Sequence, residues 1–339
     1  MREVYFIKQN KEKWLGIEQV INGKLKKNPD DLSSLYINLI NDLSFAQTYY
    51  PKSNTTVYLN HLSSRIYQKI YKTKRTEKNR LLHFFFTEVP LLVYEYRRFM
   101  TYAFIFFFIF TMVGVLSAIY DKEFVNIILG DEYVNRTIRN IKAGNPVGVY
   151  QEGSTWGSTI TITFNNIGVG AKMYLFGIIG GIGSLYILLS NSIMLGSFQY
   201  FFYEYGALKD SAKGIWLHGV YEIFSMVIEA MCGLILGTSI LFPKTFSRFE
   251  SFKIGFKNSF KIYLSTIPFT VCAGIIEGYV TRHALKMPGI LNFLIISFCL
   301  FSIVFYYIIL PRLIHFQYGG NADELLENAK KNNRNPERF

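Results

Sequence analysis

The sequence predicts an all-α protein that crosses a membrane about six times. Three observations carry that prediction. Half of the 339 residues are hydrophobic and 17% are aromatic. Several nearly uncharged runs reach the ~20 residues a helix needs to traverse hydrocarbon. The +12 net charge is also unevenly placed: residues 1–98 hold 17 Lys/Arg against 9 Asp/Glu, whereas residues 121–164 hold 4 against 5. Lys and Arg collect on the cytoplasmic side of membrane proteins, so the asymmetry reads as topology rather than as a nucleic-acid surface. No nucleic-acid partner is expected.

Residues 1–80 read as a cytoplasmic helical bundle. Apolar side chains recur there at spacings of three and four: Trp14, Ile17 and Ile21; then Leu32, Leu35, Leu39, Leu43 and Ala46; then Leu59, Leu62, Ile66 and Ile70. Each set makes one stripe on a helix, and three stripes can shelter one another. "NPDD" at 28–31 suits a helix start, because proline and carboxylates are favoured in a first turn. "YYPKSNTT" divides the second stripe from the third, and "KTKRTEKNR" at 72–80 reads as a solvated linker.

Residues 81–98 are too polar to span and too aromatic for open solvent, so they are predicted to lie bent at Pro90 along the inner membrane surface, His83 and Glu88 included. "FMTYAFIFFFIFTMVGVLSAIY", 99–120, carries no charge and is the first span. No signal peptide precedes it, and the span is expected to act as its own targeting signal. Residues 121–164 are expected outside, with a surface helix in "EFVNIILGDEYVNRTIRNI". The apolar stretch from Ile167 to Tyr205 is too long for one crossing, and "SNS" at 190–192 is the predicted turn. That gives a helix at 167–189 and a short one at 193–206 that either crosses or re-enters. Spans at 216–241, 262–281 and 290–311 follow, completing a transmembrane domain over 99–312. The segment 243–261, with five Lys/Arg and one acid, is placed in the cytoplasm, as is a disordered tail over 313–339.

"HGVYEIFSMVIEAMCGLILG", 218–237, is the most informative stretch. His218, Glu222 and Glu229 fall on one face at spacings of four and seven, and Gly233 and Gly237 continue it. Ionisable groups at membrane depth cost several kcal/mol each unless protein shelters them. Glu277, Asn165 and Asn166 at the mouth of the second helix, and Asn191 at the turn, are the candidate partners. Gly177 and Gly181 form a small-xxx-small pair that could receive the glycine face. A homodimer would use the same chemistry, and the sequence leaves both open.

Three readings of the cluster remain open. It is a polar core that fixes helix register, or a path for a proton, ion or lipid-like solute, or a metal-dependent intramembrane hydrolase. The last is disfavoured because zinc sites take three protein ligands, and that helix face lacks "HExxH" or a second histidine. No metal, cofactor or catalytic residue is therefore assigned, and no phosphate loop or GxSxG elbow occurs. Cys232, Cys272 and Cys299 lie singly in apolar helices and read as small buried thiols.

The same stretch resembles the His-Gly-x-x-Glu signature of the stage II sporulation protein M family, also called domain of unknown function 95. "FIKQNKEKWLGIEQVI", "LYINLINDLSFAQTYY" and "YLNHLSSRIYQKIY" resemble its soluble amino-terminal helices. "FNNIGVGAKMYLFGIIGGIGSLYILLSNSIMLGSF" is similar to its second membrane segment, and "GIIEGYVT" to its glutamate-bearing late helix. Carried over position by position, the family-like residues are His218, Gly219, Glu222, Glu277, Asn165, Asn166, Asn191 and Gly196. The resemblance implies a polytopic protein of the bacterial inner membrane with both termini in the cytoplasm. The namesake acts as a membrane scaffold for cell-wall-degrading partners during engulfment. The extra amino-terminal residues and the additional last span are features of the broader, non-sporulating branch. Its members are encoded near AAA ATPases and other membrane proteins, so the resemblance implies an envelope assembly, with lipids and other envelope proteins as partners.

Overall fold

The computed structural model describes residues 3–22, 29–71, 79–151 and 154–318. Among them every element is helical. The chain divides into two compact units, Met1–Lys78 and Asn79–Phe339. The predicted linker is outside the described residues over 72–78, and so is the tail from 319 onward.

The first unit is a three-helix bundle of α1 (Glu3–Ile21), α2 (Pro29–Tyr49) and α3 (Asn54–Tyr71). Its core joins Trp14 and Ile17 to Leu39, Leu43 and Ala46 and to Leu59, Leu62 and Ile66, the three stripes meeting as their spacing requires. Phe6, which no stripe included, completes it edge-on to Trp14, with ring centroids 5.5 Å apart. Trp14 is 3% exposed, and its indole Nε1–H donates to Asp42 at 2.8 Å, so the one polar atom of a buried ring is satisfied. Tyr58 donates to Glu18 at 3.2 Å; burial, with that carboxylate beside it, pushes the phenol up to about 12.

The second unit opens with α4 (Arg80–His83), a π turn over Phe84–Glu88 and α5 (Val89–Glu95). Pro90 stands just after the π turn, in a helical run unbroken from Arg80 to Glu95, and Leu91, Leu92 and Val93 are buried. Tyr306 donates to the Phe85 carbonyl at 2.8 Å, Lys261 pairs with Glu88 at 2.7 Å, and His315 stacks on Tyr94 at 3.8 Å. The segment is thus clasped by later helices.

The long helices follow: α6 (Arg97–Tyr120), the short α7 (Lys122–Leu129) and α8 (Asp131–Lys142), then α9 (Thr155–Leu175), α10 (Ile182–Glu204), α11 (Leu208–Leu241), α12 (Arg248–Ile275), α13 (Gly289–Val304) and α14 (Leu310–Tyr318). π turns carry α12 onward and join α13 to α14. By length and composition Arg97–Tyr120, Ile182–Glu204, Leu208–Leu241, Arg248–His283 and Gly289–Gln317 suffice to cross a membrane. The protein is therefore an all-α polytopic membrane protein. α9, at 21 residues, is slightly shorter and more polar, with four threonines and two asparagines.

Several boundaries differ from the sequence expectation. The surface helix expected in 123–141 is two, parted at Gly130, whose φ of +84° suits glycine. α9 starts at Thr155, twelve residues before the expected Ile167, because the Ser154 hydroxyl accepts from the Gly157 N–H and caps it. "SNS" is not the turn. Ser190 and Asn191 donate to the carbonyls of Tyr186 and Ile187, at 3.0 and 2.8 Å, and stay inside α10. The chain reverses instead at Gly180 and Gly181, with φ of +60° and +86°. Residues 193–206 are thus the second half of α10, and no separate short crossing exists. α11 and α12 also begin well before 216 and 262, so most of 243–261 is helix rather than loop.

α11 is the axis of this unit, with twenty of its residues buried. Glycines let its neighbours approach. A Cβ on Gly177 would stand 2.3 Å from the Gly233 carbonyl oxygen, and one on Gly237 would stand 2.1 Å from the Gly181 nitrogen. The two pairs form one seam between the α9–α10 turn and the end of α11. A second seam joins α10 to α6, where Gly196 lies against the Thr111 carbonyl and Gly114 against that of Ile193.

Candidate functional site

The polar groups of α11 separate into two places. Glu229, 5% exposed, accepts from the Thr266 hydroxyl of α12 at 3.0 Å. Its carboxyl fills the space above Gly170 of α9, where an added Cβ would meet all three carboxyl atoms at 2.4 Å. This is a closed contact among three helices.

About two turns toward the start of α11, ~10 Å along its axis, three helices converge again. The amide of Asn166, on α9, donates to Glu222 at 2.5 Å. Glu277 enters from the π turn Ile276–Val280 beyond α12. One donor atom each from His218, Glu222 and Glu277 lies within 4.8 Å of the other two. His218, 3% exposed, places Nδ1 3.0 Å from Thr281 Oγ1. That hydroxyl also lies 3.3 Å from the Ile276 carbonyl. In the tautomer with its hydrogen on Nδ1 the ring donates to Thr281, which passes its own proton to that carbonyl, and Nε2 keeps its lone pair.

α9 explains how Glu277 and Glu222 come together. Thr159, Thr163, Asn166 and Gly170 recur at helical spacing, and the first two press on Gly278 and Gly274, where an added Cβ would stand 1.8 and 2.0 Å from the threonine oxygens. The glycines bracket Glu277 and bring α9 close enough for Asn166 to reach Glu222. A π turn adds a residue to the ladder, which re-aims the side chains around it.

The 145–151 segment covers this end. Half-buried Tyr150 stands edge-on to His218, ring centroids 5.6 Å apart. Burial, then neighbouring Tyr133, Glu277 and Glu222, hold its phenol well above the usual tyrosine range, so it stays neutral. Gln151 donates to the Arg282 carbonyl at 3.2 Å, and Arg282 reaches Ser158 at 3.1 Å. Val147 is buried against Gly214 of α11.

Of the residues singled out from the sequence, His218, Glu222, Glu277 and Asn166 are brought together. Glu229 belongs to its own contact. Asn165 and Asn166 lie inside α9 rather than at its mouth, and Asn165 is exposed on the opposite face. Asn191 is spent within α10. Gly219 meets nothing nearer than 3.9 Å, so no close approach depends on it. Thr281, Tyr150, Gly170 and Thr266 were missed, because threonines and a tyrosine in such a chain carry no signal until another helix is placed against them.

The family model described as Stage II sporulation protein M matches residues 103–282, more than half of the chain and the whole of this site. A second, described as a domain of unknown function (DUF8413), matches residues 4–72, the three-helix unit. No curated protein and no solved structure matches the chain. The signature His218, Gly219 and Glu222, with Glu277 brought to it, falls inside the first match, and the chain belongs to the Stage II sporulation protein M family.

Proposed function

We propose that this protein is a non-enzymatic scaffold of the bacterial inner membrane, a subunit of a cell-envelope complex that recruits a partner through its amino-terminal helical unit. The observation that supports this best is how the deep polar groups are engaged. Glu229 with Thr266 and His218 with Thr281 tie α11 to the middle and the end of the Arg248–His283 span, and Glu222 with Asn166 ties it to α9, as groups that fix helix register do. A separate bundle with its own core supports recruitment. The excess of Lys and Arg before residue 99 supports placing that bundle in the cytoplasm, with six crossings, α9 included, returning the other end to the same side.

Purification from crosslinked native membranes tests the reading. The full chain is expected to retain an envelope protein or an AAA ATPase, and a variant lacking residues 1–78 to lose it. Recovery of lipid alone from both would overturn it. The meeting of His218, Glu222 and Glu277 favours a second reading, a carrier for a proton or cation. On that reading Glu222→Gln and Glu277→Gln each lower flux into proteoliposomes at least tenfold; flux that is unchanged in both removes these carboxyls from any path.

A further inference from the structure

We infer that His218, Glu222 and Glu277 form a binding site for one divalent transition-metal cation of the zinc(II) type, with Asn166 and Thr281 holding the ligands in place. The inference goes beyond the scaffold reading and does not depend on it.

The first support is the meeting of three ligand-type groups in a sheltered place. One atom each of two carboxyls and an imidazole lie within 4.8 Å of one another, and the tautomer that donates Nδ1–H to Thr281 leaves Nε2 a lone pair. Asn166 supplies a donor to Glu222. Two carboxylates this close repel unless a proton or a cation stands between them. A divalent ion would cancel both charges in a place where unpaired charge is costly.

The second support is the construction of the surroundings. A metal-bound imidazole ordinarily spends its other nitrogen on a fixed acceptor, and Thr281, 3.0 Å from Nδ1 and beside the Ile276 carbonyl, is placed to be that acceptor for His218. Asn166 does the same for one carboxylate. Glu277 sits on a π turn, an irregularity that costs regular helix bonding and recurs at functional positions. One helix face lacks a third ligand; a different helix supplies it.

The third is the donor set. One imidazole nitrogen and carboxylate oxygens suit zinc(II) or manganese(II) more than a soft ion, which prefers sulfur, or calcium, which takes six or more oxygens, and zinc binds such sites more tightly than manganese. Donors on one zinc stand ~3.3 Å apart for bonds of ~2.0 Å, against a present spacing within 4.8 Å, a difference of at most about 1.5 Å that carboxylate side-chain rotation can close. A water or the second oxygen of a carboxylate completes four-coordination.

Titration of the purified full-length protein, first stripped with chelator, tests the site with Zn2+ and Co2+ as the probes. One Zn2+ per chain is expected, with a rise in melting temperature. Glu277→Gln and His218→Asn should weaken binding by more than about 100-fold, and Thr281→Val by about 10–100-fold as a positioning residue. Glu229→Gln, which alters the other contact, should bind as the unmodified chain does. Binding undiminished in Glu277→Gln and His218→Asn would assign the ion to other groups and overturn the proposal, as would the absence of stoichiometric binding. Should either variant fail to fold, Co2+ bound to the unmodified chain decides: visible bands of imidazole and carboxylate ligation support the site, and their absence sinks it. Partner capture is unaffected by either outcome, so this result and that of the scaffold reading are separable.

Discussion

Gly196→Ala is expected to destabilise the membrane unit by about 1–3 kcal/mol, the usual cost of forcing a methyl group into a filled contact, and Gly196→Val by more. The added Cβ would stand 2.1 Å from the Thr111 carbonyl oxygen and 2.9 Å from the Val115 nitrogen. Both obstacles are backbone, so no side chain can swing away. The contact is also reciprocal: three residues on from Thr111 in α6, an added Cβ on Gly114 would stand 2.3 Å from the Ile193 carbonyl oxygen, so α6 and α10 cannot part at one point without losing the other. Thermal unfolding in detergent measures the loss. Gly219→Ala is the control, because its methyl meets nothing nearer than 3.9 Å and alanine is the better helix former by up to ~1 kcal/mol. It should be neutral or stabilising, although Gly219 belongs to the family signature. Equal behaviour of the two variants would show that backbone approach is not what holds α6 against α10.

Trp14→Ala is expected to cost the amino-terminal unit about 3–5 kcal/mol, the range for removing a large buried aromatic. A unit of this size has only ~4–12 kcal/mol of stability to lose, at roughly 0.05–0.15 kcal/mol per residue. The ring lies between Phe6 and Tyr58, and its loss strips Asp42 of the indole donor as well. Limited trypsin digestion of membranes reads the result: cleavage within residues 1–78 should accelerate while the rest of the chain resists as before. Unchanged protection of that segment would mean that Trp14 is not central to the bundle. Under the scaffold reading the same variant should release the partner.

The contrast between these two units shows what a sequence reveals. In the bundle, burial alternates with solvent, so the spacing of Trp14 and Ile17, or of Leu59, Leu62 and Ile66, names the core directly. In the membrane unit both faces of a helix are apolar, and periodicity is silent about which face meets protein. There the sequence spoke only through its exceptions, and His218, Glu222 and Glu277 were legible because charge at that depth is costly. Their partners were not, since Asn166 and Thr281 reach them across helices. Polarity also misled. Ser190 and Asn191 read as a turn, yet within hydrocarbon such side chains satisfy themselves on the preceding helical turn, and the reversal fell to two glycines able to adopt positive φ. The threonine-rich start of α9 read as loop because its helix is stabilised by contacts that its own residues do not disclose.

The polar stripe on α9 has a bearing on biosynthesis. Thr159, Thr163 and Asn166 find their counterparts in the π turn beyond α12, on α12 and on α11, all of which leave the ribosome later. A nascent chain halted before those partners emerge holds a helix that lipid alone accommodates poorly. On the reading in which α9 crosses the membrane, its stable insertion is expected to wait for the carboxyl-terminal half that receives it.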